Sequence, residues 1–142
     1  KMKAIIENYG VFADLRVASA HKNGEDLVPL LAEYEAAIEP GAILAVAGLS
    51  NGLGGALAAN SSLPVISCPP FKDGADMLLN LNSLMMPSQV PAMTVVRPKE
   101  AALAALRALN LPRLKDLFRR EIAEMKDGLR RDDLEIREAA RA

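Results

Sequence analysis

The sequence predicts an α/β domain, a parallel sheet with helices on both faces, and three observations carry that prediction. Short apolar runs and helical periodicities alternate four times along the chain, the connections between them are a few residues long, and one run, Ala42 to Ala47, is an unbroken series of small apolar residues. A continuous apolar run is what a parallel strand buried on both faces requires. The chain has 142 residues, 51% hydrophobic and 25% charged, enough for one core and too short for two ordinary domains. One domain over 1–142 is therefore expected, an α/β core of 1–111 with a helical extension over 112–142.

Taken in order, Met2, Ile5, Ile6 and Tyr9 recur at helical spacing and Gly10 supplies a stop. Phe12 to Val17 alternates apolar and polar residues as a strand would, and Ser19 to Gly24 breaks the pattern as a loop. Leu27, Leu30, Leu31, Tyr34 and Ile38 mark a helix over Glu25 to Ile38, closed by Pro40-Gly41. The strand Ala42 to Ala47 leads into a glycine-rich loop and short helix, Gly48 to Asn60. Pro64 to Cys68 is a strand ended by Pro69-Pro70, Asp76 to Met86 a helix, Ala92 to Val96 a strand and Lys99 to Leu111 a helix. A further strand before Lys1 would complete the alternation.

The extension holds nine of the 17 Lys+Arg and eight of the 18 Asp+Glu. Leu114, Phe118, Ile122, Met125 and Leu129 form one apolar stripe along it, which needs a surface to cover, on its own domain or on a neighbouring subunit. Gly128 and Asp132-Asp133 interrupt the stripe and disfavour a coiled coil.

Composition excludes several classes. A net charge of -1 gives no pull toward nucleic acid or an anionic membrane, and no apolar run approaches the roughly 20 residues that span a bilayer. The start, Lys1-Met2-Lys3, opens an amphipathic segment rather than a signal peptide. One Cys and one His exclude an internal disulfide and a cysteine-built zinc site, so no metal is expected and a reducing cytoplasm fits.

In parallel α/β sheets ligands bind beyond the carboxyl ends of the strands, so the informative loops are Ser19 to Gly24, Gly48 to Gly55 and Cys68 to Gly74. His21, the one histidine, can take and return a proton at working pH, or merely hydrogen-bond locally. Lys22 stands ahead of a helix start, where free N–H groups favour an anion such as phosphate, although a solvated lysine is the commoner fate. The loop Gly48-Leu49-Ser50-Asn51-Gly52-Leu53-Gly54-Gly55 allows close approach of backbone to a ligand, or serves only as a tight turn. It lacks the Lys-Ser/Thr end of an ATP loop and the third glycine of the dinucleotide fingerprint. Cys68 reads as a buried small thiol.

Together Ser19-Ala20-His21-Lys22, Ala47-Gly48-Leu49-Ser50-Asn51-Gly52-Leu53-Gly54, Pro64-Val65-Ile66-Ser67-Cys68-Pro69-Pro70 and Met86-Pro87-Ser88 resemble the phosphoribosylaminoimidazole (AIR) carboxylase family of purine synthesis, over about Lys1 to Leu111. The Ser-Asn-Gly-Leu-Gly and Ser-Cys-Pro-Pro stretches are similar to the carbon-dioxide-using class, also found fused to a ligase domain in animals. The mutase class carries Ala-His-Leu-Pro-Gly there, and this chain has Asn51 where that second histidine would stand. The resemblance implies a flavodoxin-like three-layer sandwich, a homo-octamer with sites at subunit junctions, and carboxylation of 5-aminoimidazole ribonucleotide by CO2 without metal, biotin, ATP or other cofactor.

Carried over by resemblance, His21 would accept the C4 proton and Lys22 would hold the 5'-phosphate. Ser19 and Ala20 would frame the ribose-phosphate or base, Ser50 would meet CO2 or the new carboxylate, and Gly48, Asn51, Gly52 and Leu53 would line that pocket. The family pattern opens with a Gly-Ser-x-Ser-Asp loop that has no counterpart here, and it has arginine where this chain has Leu49 and often where it has Met85. Two other readings stay open: the N5-carboxyaminoimidazole ribonucleotide mutase, and a non-catalytic nucleotide-binding relative.

Overall fold

Three short strands, β1 (Ile43–Ala45), β2 (Val65–Ser67) and β3 (Ala92–Thr94), lie parallel in the order β1-β2-β3 among the described residues. The structure is a computed structural model; it describes residues 1–49 and 52–141 and divides into two units, 1–109 and 110–142. Ile43, Val65 and Ala92 stand in register, as do Leu44, Ile66 and Met93. The ladder runs past the strand ends through Ile43 N–H to the Pro64 carbonyl (2.8 Å), Cys68 N–H to Ala45 (2.8 Å) and Val95 N–H to Ser67 (2.9 Å).

Alternation along the strands divides the core between two faces. Ala45 and Val65 pack with Leu27 and Leu31 of α2 (Leu27–Glu35) and Leu57 and Ala58 of α3 (Gly52–Ala59). On the other face Ile66 and Cys68 pack with Ala101 and Ala105 of α5 (Pro98–Ala108), joined by Met2 of α1 (Met2–Asn8). Helices therefore cover both faces of a parallel sheet, as the sequence predicts. Burial pushes the Cys68 thiol pKa up, in keeping with a packed, unreactive group.

Two expectations need correction. Phe12 to Val17 is not a strand: among the described residues it pairs with no neighbour, and Phe12, Leu15 and Val17 are exposed. Its polar residues tie it down instead. Arg16 donates to Asp14 (2.7 Å) and to Glu33 of α2 (2.9 Å), Tyr34 donates to Asp14 (2.8 Å), and Lys3 donates to the Ala13 carbonyl (2.8 Å). The Arg16 and Tyr34 hydrogen bonds hold the Asp14 carboxyl below its usual range.

The helix expected over Asp76 to Met86 is also interrupted. Helix α4 (Gly74–Leu79), capped by the Asp73 side chain on Asp76 N–H (2.9 Å), stops at Asn80 and gives way to a 3-10 turn over Leu81–Leu84. The Asn80 side-chain amide donates to the Asp76 carbonyl (3.0 Å), taking the acceptor that the next helical turn would use, while Asn80 N–H turns to Met77 (3.0 Å). Helix α5 begins at Pro98, which suits a first helical position, and ends before Asn110, whose φ of 55° no helix tolerates.

The 3-10 turn Gly24–Asp26 leads into α2, and the far end of α2 is tied to the turn before β2. Glu35 accepts from the Ser61 hydroxyl (2.6 Å), from Ser62 N–H (2.7 Å) and from the Ser62 hydroxyl, which together lower its carboxyl from 4.5 to about 2. A folded-state pKa below the unfolded one means that the contribution is complete above about 4.5 and is lost as pH falls toward about 2. Glu35→Gln is therefore expected to lower Tm near neutral pH and to match the parent chain at the acid end. A Tm difference independent of pH would remove the carboxylate from this role.

The second unit is one helix, α6 (Pro112–Ala139), which continues through Gly128 and Asp132-Asp133. Of its apolar stripe Leu114 and Phe118 are buried, while Ile122, Met125 and Leu129 are exposed. Exposed ion pairs spaced three or four residues apart, such as Arg130 with Asp127 (2.7 Å), add only tenths of a kcal/mol each, on the order of 0.3–0.5. No helix among the described residues is long and apolar enough to cross a membrane.

Candidate active site

The loop after Phe12–Val17 meets the start of α3 at one point. His21 stands in a turn, and its imidazole lies over Gly52, the first residue of α3. A Cβ at residue 52 would sit 2.6 Å from His21 Cε1 and 2.9 Å from Nε2. Such contacts are closer than any real Cβ makes, so glycine is what lets the ring rest against the start of α3. His21 is exposed and has no hydrogen-bond partner among the described residues.

The His21 turn is built by Asn23. Its Oδ1 accepts from Ser19 N–H (2.8 Å), its own N–H donates to the Ser19 carbonyl (3.1 Å), and its Nδ2 donates to Asp26 (2.9 Å). This closed turn seats Ala20 against the α2/α3 core and leaves His21 and Lys22 outside. Sequence reasoning passed over Asn23, although Asn before Gly24 is a turn signal with a physical cause. Asn23→Ala opens the turn, and a loss of about 1 kcal/mol in urea unfolding is the expected stability cost.

Among the described residues Lys22 is exposed and unpaired, beside the 3-10 turn that starts α2. Gly48 is half-buried in ordinary contact with Pro70 and with the Asn80 side chain. Leu53 packs its side chain against the α2/α3 core and turns it away from the ligand role expected of it. Ser50 and Asn51 lie outside the described residues. The structure thus brings His21 to Gly52, with Ser19 and Ala20 in the same turn, and gives Lys22 no contact with them beyond chain connectivity.

Between β1 and α3, Leu49 has φ 62° and its N–H donates to Asn80 Oδ1 (2.8 Å). Nothing in the apolar run around Asn80 flags this role in the sequence. A separate cavity of about 190 Å³ lies past the ends of β2 and β3, lined by Phe71, Met77, Leu81 and Val96 with Asn80 and Thr94. Thr94 already donates to the Ser83 carbonyl (2.7 Å), and neither His21 nor Gly52 lines the cavity, so the candidate chemistry sits elsewhere. Among the described residues no three His, Cys, Asp or Glu are grouped to hold a metal ion.

The chain is 44% identical over 103 residues to "Probable multifunctional protein ADE2" of Caenorhabditis elegans, covering 72% of this chain and 24% of that protein. It is 36% identical over 135 residues to the phosphoribosylaminoimidazole carboxylase of Archaeoglobus fulgidus, covering 93% of this chain and 71% of the relative. The crystal structure of Treponema denticola PurE superposes with a TM-score of 0.81 at 33% identity, covering 93% of this chain and 85% of that one. The chain therefore spans about a quarter of the nematode relative and most of the microbial ones. That likeness carries the flavodoxin-like α/β fold, and because the AIR carboxylase family model matches residues 1–131, the chain belongs to the AIR carboxylase family.

Proposed function

We propose that the chain carboxylates 5-aminoimidazole ribonucleotide at C4 with CO2, giving 4-carboxy-5-aminoimidazole ribonucleotide in de novo purine synthesis. The observation that carries this reading is the His21 imidazole lying over Gly52 at the start of α3. The amino-imidazole is an enamine: its C4 forms a bond to CO2, and the C4 proton then leaves to restore aromaticity. His21 accepts that proton. The developing carboxylate lies toward the α3 start, where the first-turn N–H groups of a helix and its dipole favour negative charge. Ser50, Asn51 and the backbone of Gly48, Gly52 and Leu53 complete that pocket, Ser19 and Ala20 frame the ribose, and Lys22 takes the 5'-phosphate.

The reading includes a homo-oligomer, an octamer by family pattern, in the cytoplasm, with no metal, nucleic acid or membrane partner. Exposed Phe12, Leu15 and Val17 in one unit and Ile122, Met125 and Leu129 in the other support self-association, since apolar surface of this kind marks interaction sites. A sedimentation mass equal to one chain would remove the oligomer from the reading.

The function is tested by supplying the aminoimidazole ribonucleotide with saturating CO2, beside a parallel reaction on its N5-carboxylated form. CO2-dependent product from the first substrate alone is expected. Product from the N5-carboxylated substrate alone assigns the mutase reaction, and nucleotide binding without product in either assigns a non-catalytic role.

A further inference from the structure

Asn80 is 5% exposed and sits in a leucine-rich run, where a buried amide must find partners for both its ends. Its Nδ2 donates to the Asp76 carbonyl (3.0 Å) and, at longer range, to the Pro70 carbonyl (3.4 Å). Two carbonyls on one side fix the amide's orientation, because the reverse flip would face oxygen with oxygen. Oδ1 is thereby aimed at Leu49 N–H, which it accepts at 2.8 Å. One side chain thus joins the loop after β1, the Pro69-Pro70 loop after β2 and helix α4.

Leu49 is where that bond matters most. It holds φ 62°, a left-handed conformation that a leucine rarely adopts, and its side chain is 69% exposed, so no burial rewards the strain. The bond from Asn80 is the observed interaction that holds Leu49 N–H in this geometry. The same loop runs on to Gly52 beneath His21.

We propose that Asn80 is a positioning residue of the candidate active site: by holding Leu49 N–H it fixes the Gly48–Leu49 backbone through which β1 connects to the α3 start, where His21 rests on Gly52. The inference rests on the carboxylase reading for its kinetic consequence, and on the geometry alone for its structural one.

The test uses Asn80→Asp and Asn80→Ala in the full chain. Asn80→Asp keeps the acceptor for Leu49 N–H but turns a carboxylate oxygen toward two carbonyls, whereas Asn80→Ala removes both ends. In folded variants kcat is expected to fall about 10- to 100-fold, the effect of misplacing a group by about an ångström, with nucleotide Kd within about threefold of the parent. Leu49→Gly in the Asn80→Ala background is expected to restore part of kcat, since glycine adopts the left-handed conformation unaided.

Hydrogen exchange at Leu49 N–H, fast in Asn80→Ala and protected in the parent, supplies a readout without catalysis. Parent-like kcat in folded Asn80→Ala, loss of kcat and binding together without rescue by Leu49→Gly, or unchanged exchange at Leu49 would each overturn the proposal. A parent chain with no turnover would instead strike the carboxylase reading, and Leu49 exchange would still decide whether Asn80 holds the loop.

Discussion

Replacing His21 by asparagine is expected to reduce carboxylation by about 10²- to 10⁴-fold, the usual contribution of a positioned acid–base group. An asparagine amide fits the space of the imidazole and keeps a donor and an acceptor, yet it cannot take up the C4 proton. His21 is exposed and has no hydrogen-bond partner among the described residues, so the substitution breaks no bond to them and the fold should be unaffected. Nucleotide affinity measured by calorimetry should stay close to that of the parent, because the phosphate contact assigned to Lys22 is untouched. Sustained turnover by His21→Asn would take the proton-transfer step away from this residue.

Gly52→Ala should produce a loss of similar kind through geometry alone. The added methyl would lie 2.6 Å from His21 Cε1, and because the ring stands on an exposed turn, the ring is what moves. A displacement of about an ångström at the reacting centre costs on the order of 10²-fold in rate. Stability should move the other way or not at all, since alanine favours helix over glycine by up to about 1 kcal/mol at interior positions. Undiminished kcat in Gly52→Ala would show that the close approach of ring and helix start has no part in turnover. A lowered Tm would show that the methyl disturbs more than the imidazole.

The sheet was legible because its strands announce themselves by composition. Val65 and Ile66 between Pro64 and Pro69-Pro70, and the run around Leu44, are apolar on both faces and form β2 and β1. Phe12 to Val17 departs from its strand-like pattern because alternation reports which side chains could be buried, while a strand also needs a neighbour to complete its hydrogen bonds. There the alternation is satisfied in the opposite sense: Asp14 and Arg16 find partners on α2, and Phe12, Leu15 and Val17 face outward.

At the candidate site, the His21 turn and the glycine loop could be singled out by residue type, but their contact could not. It depends on the missing Cβ at Gly52 and on how the His21 turn meets the start of α3 across the fold. Asn23 and Asn80 were missed for one reason. Each acts through hydrogen bonds to backbone groups, and a backbone acceptor leaves no mark in a side-chain pattern.

The burial of Cys68 also fixes how the molecule can be instrumented. Alkylating reagents attack thiolate, and this thiol, 3% exposed and the chain's one cysteine, is both sheltered and biased toward its protonated form. Maleimide should therefore leave the native chain unlabelled. A single cysteine introduced at exposed Glu25, close behind the His21 turn, would then be the one point of attachment for a fluorophore, so that turn could be followed in real time without first removing a native thiol.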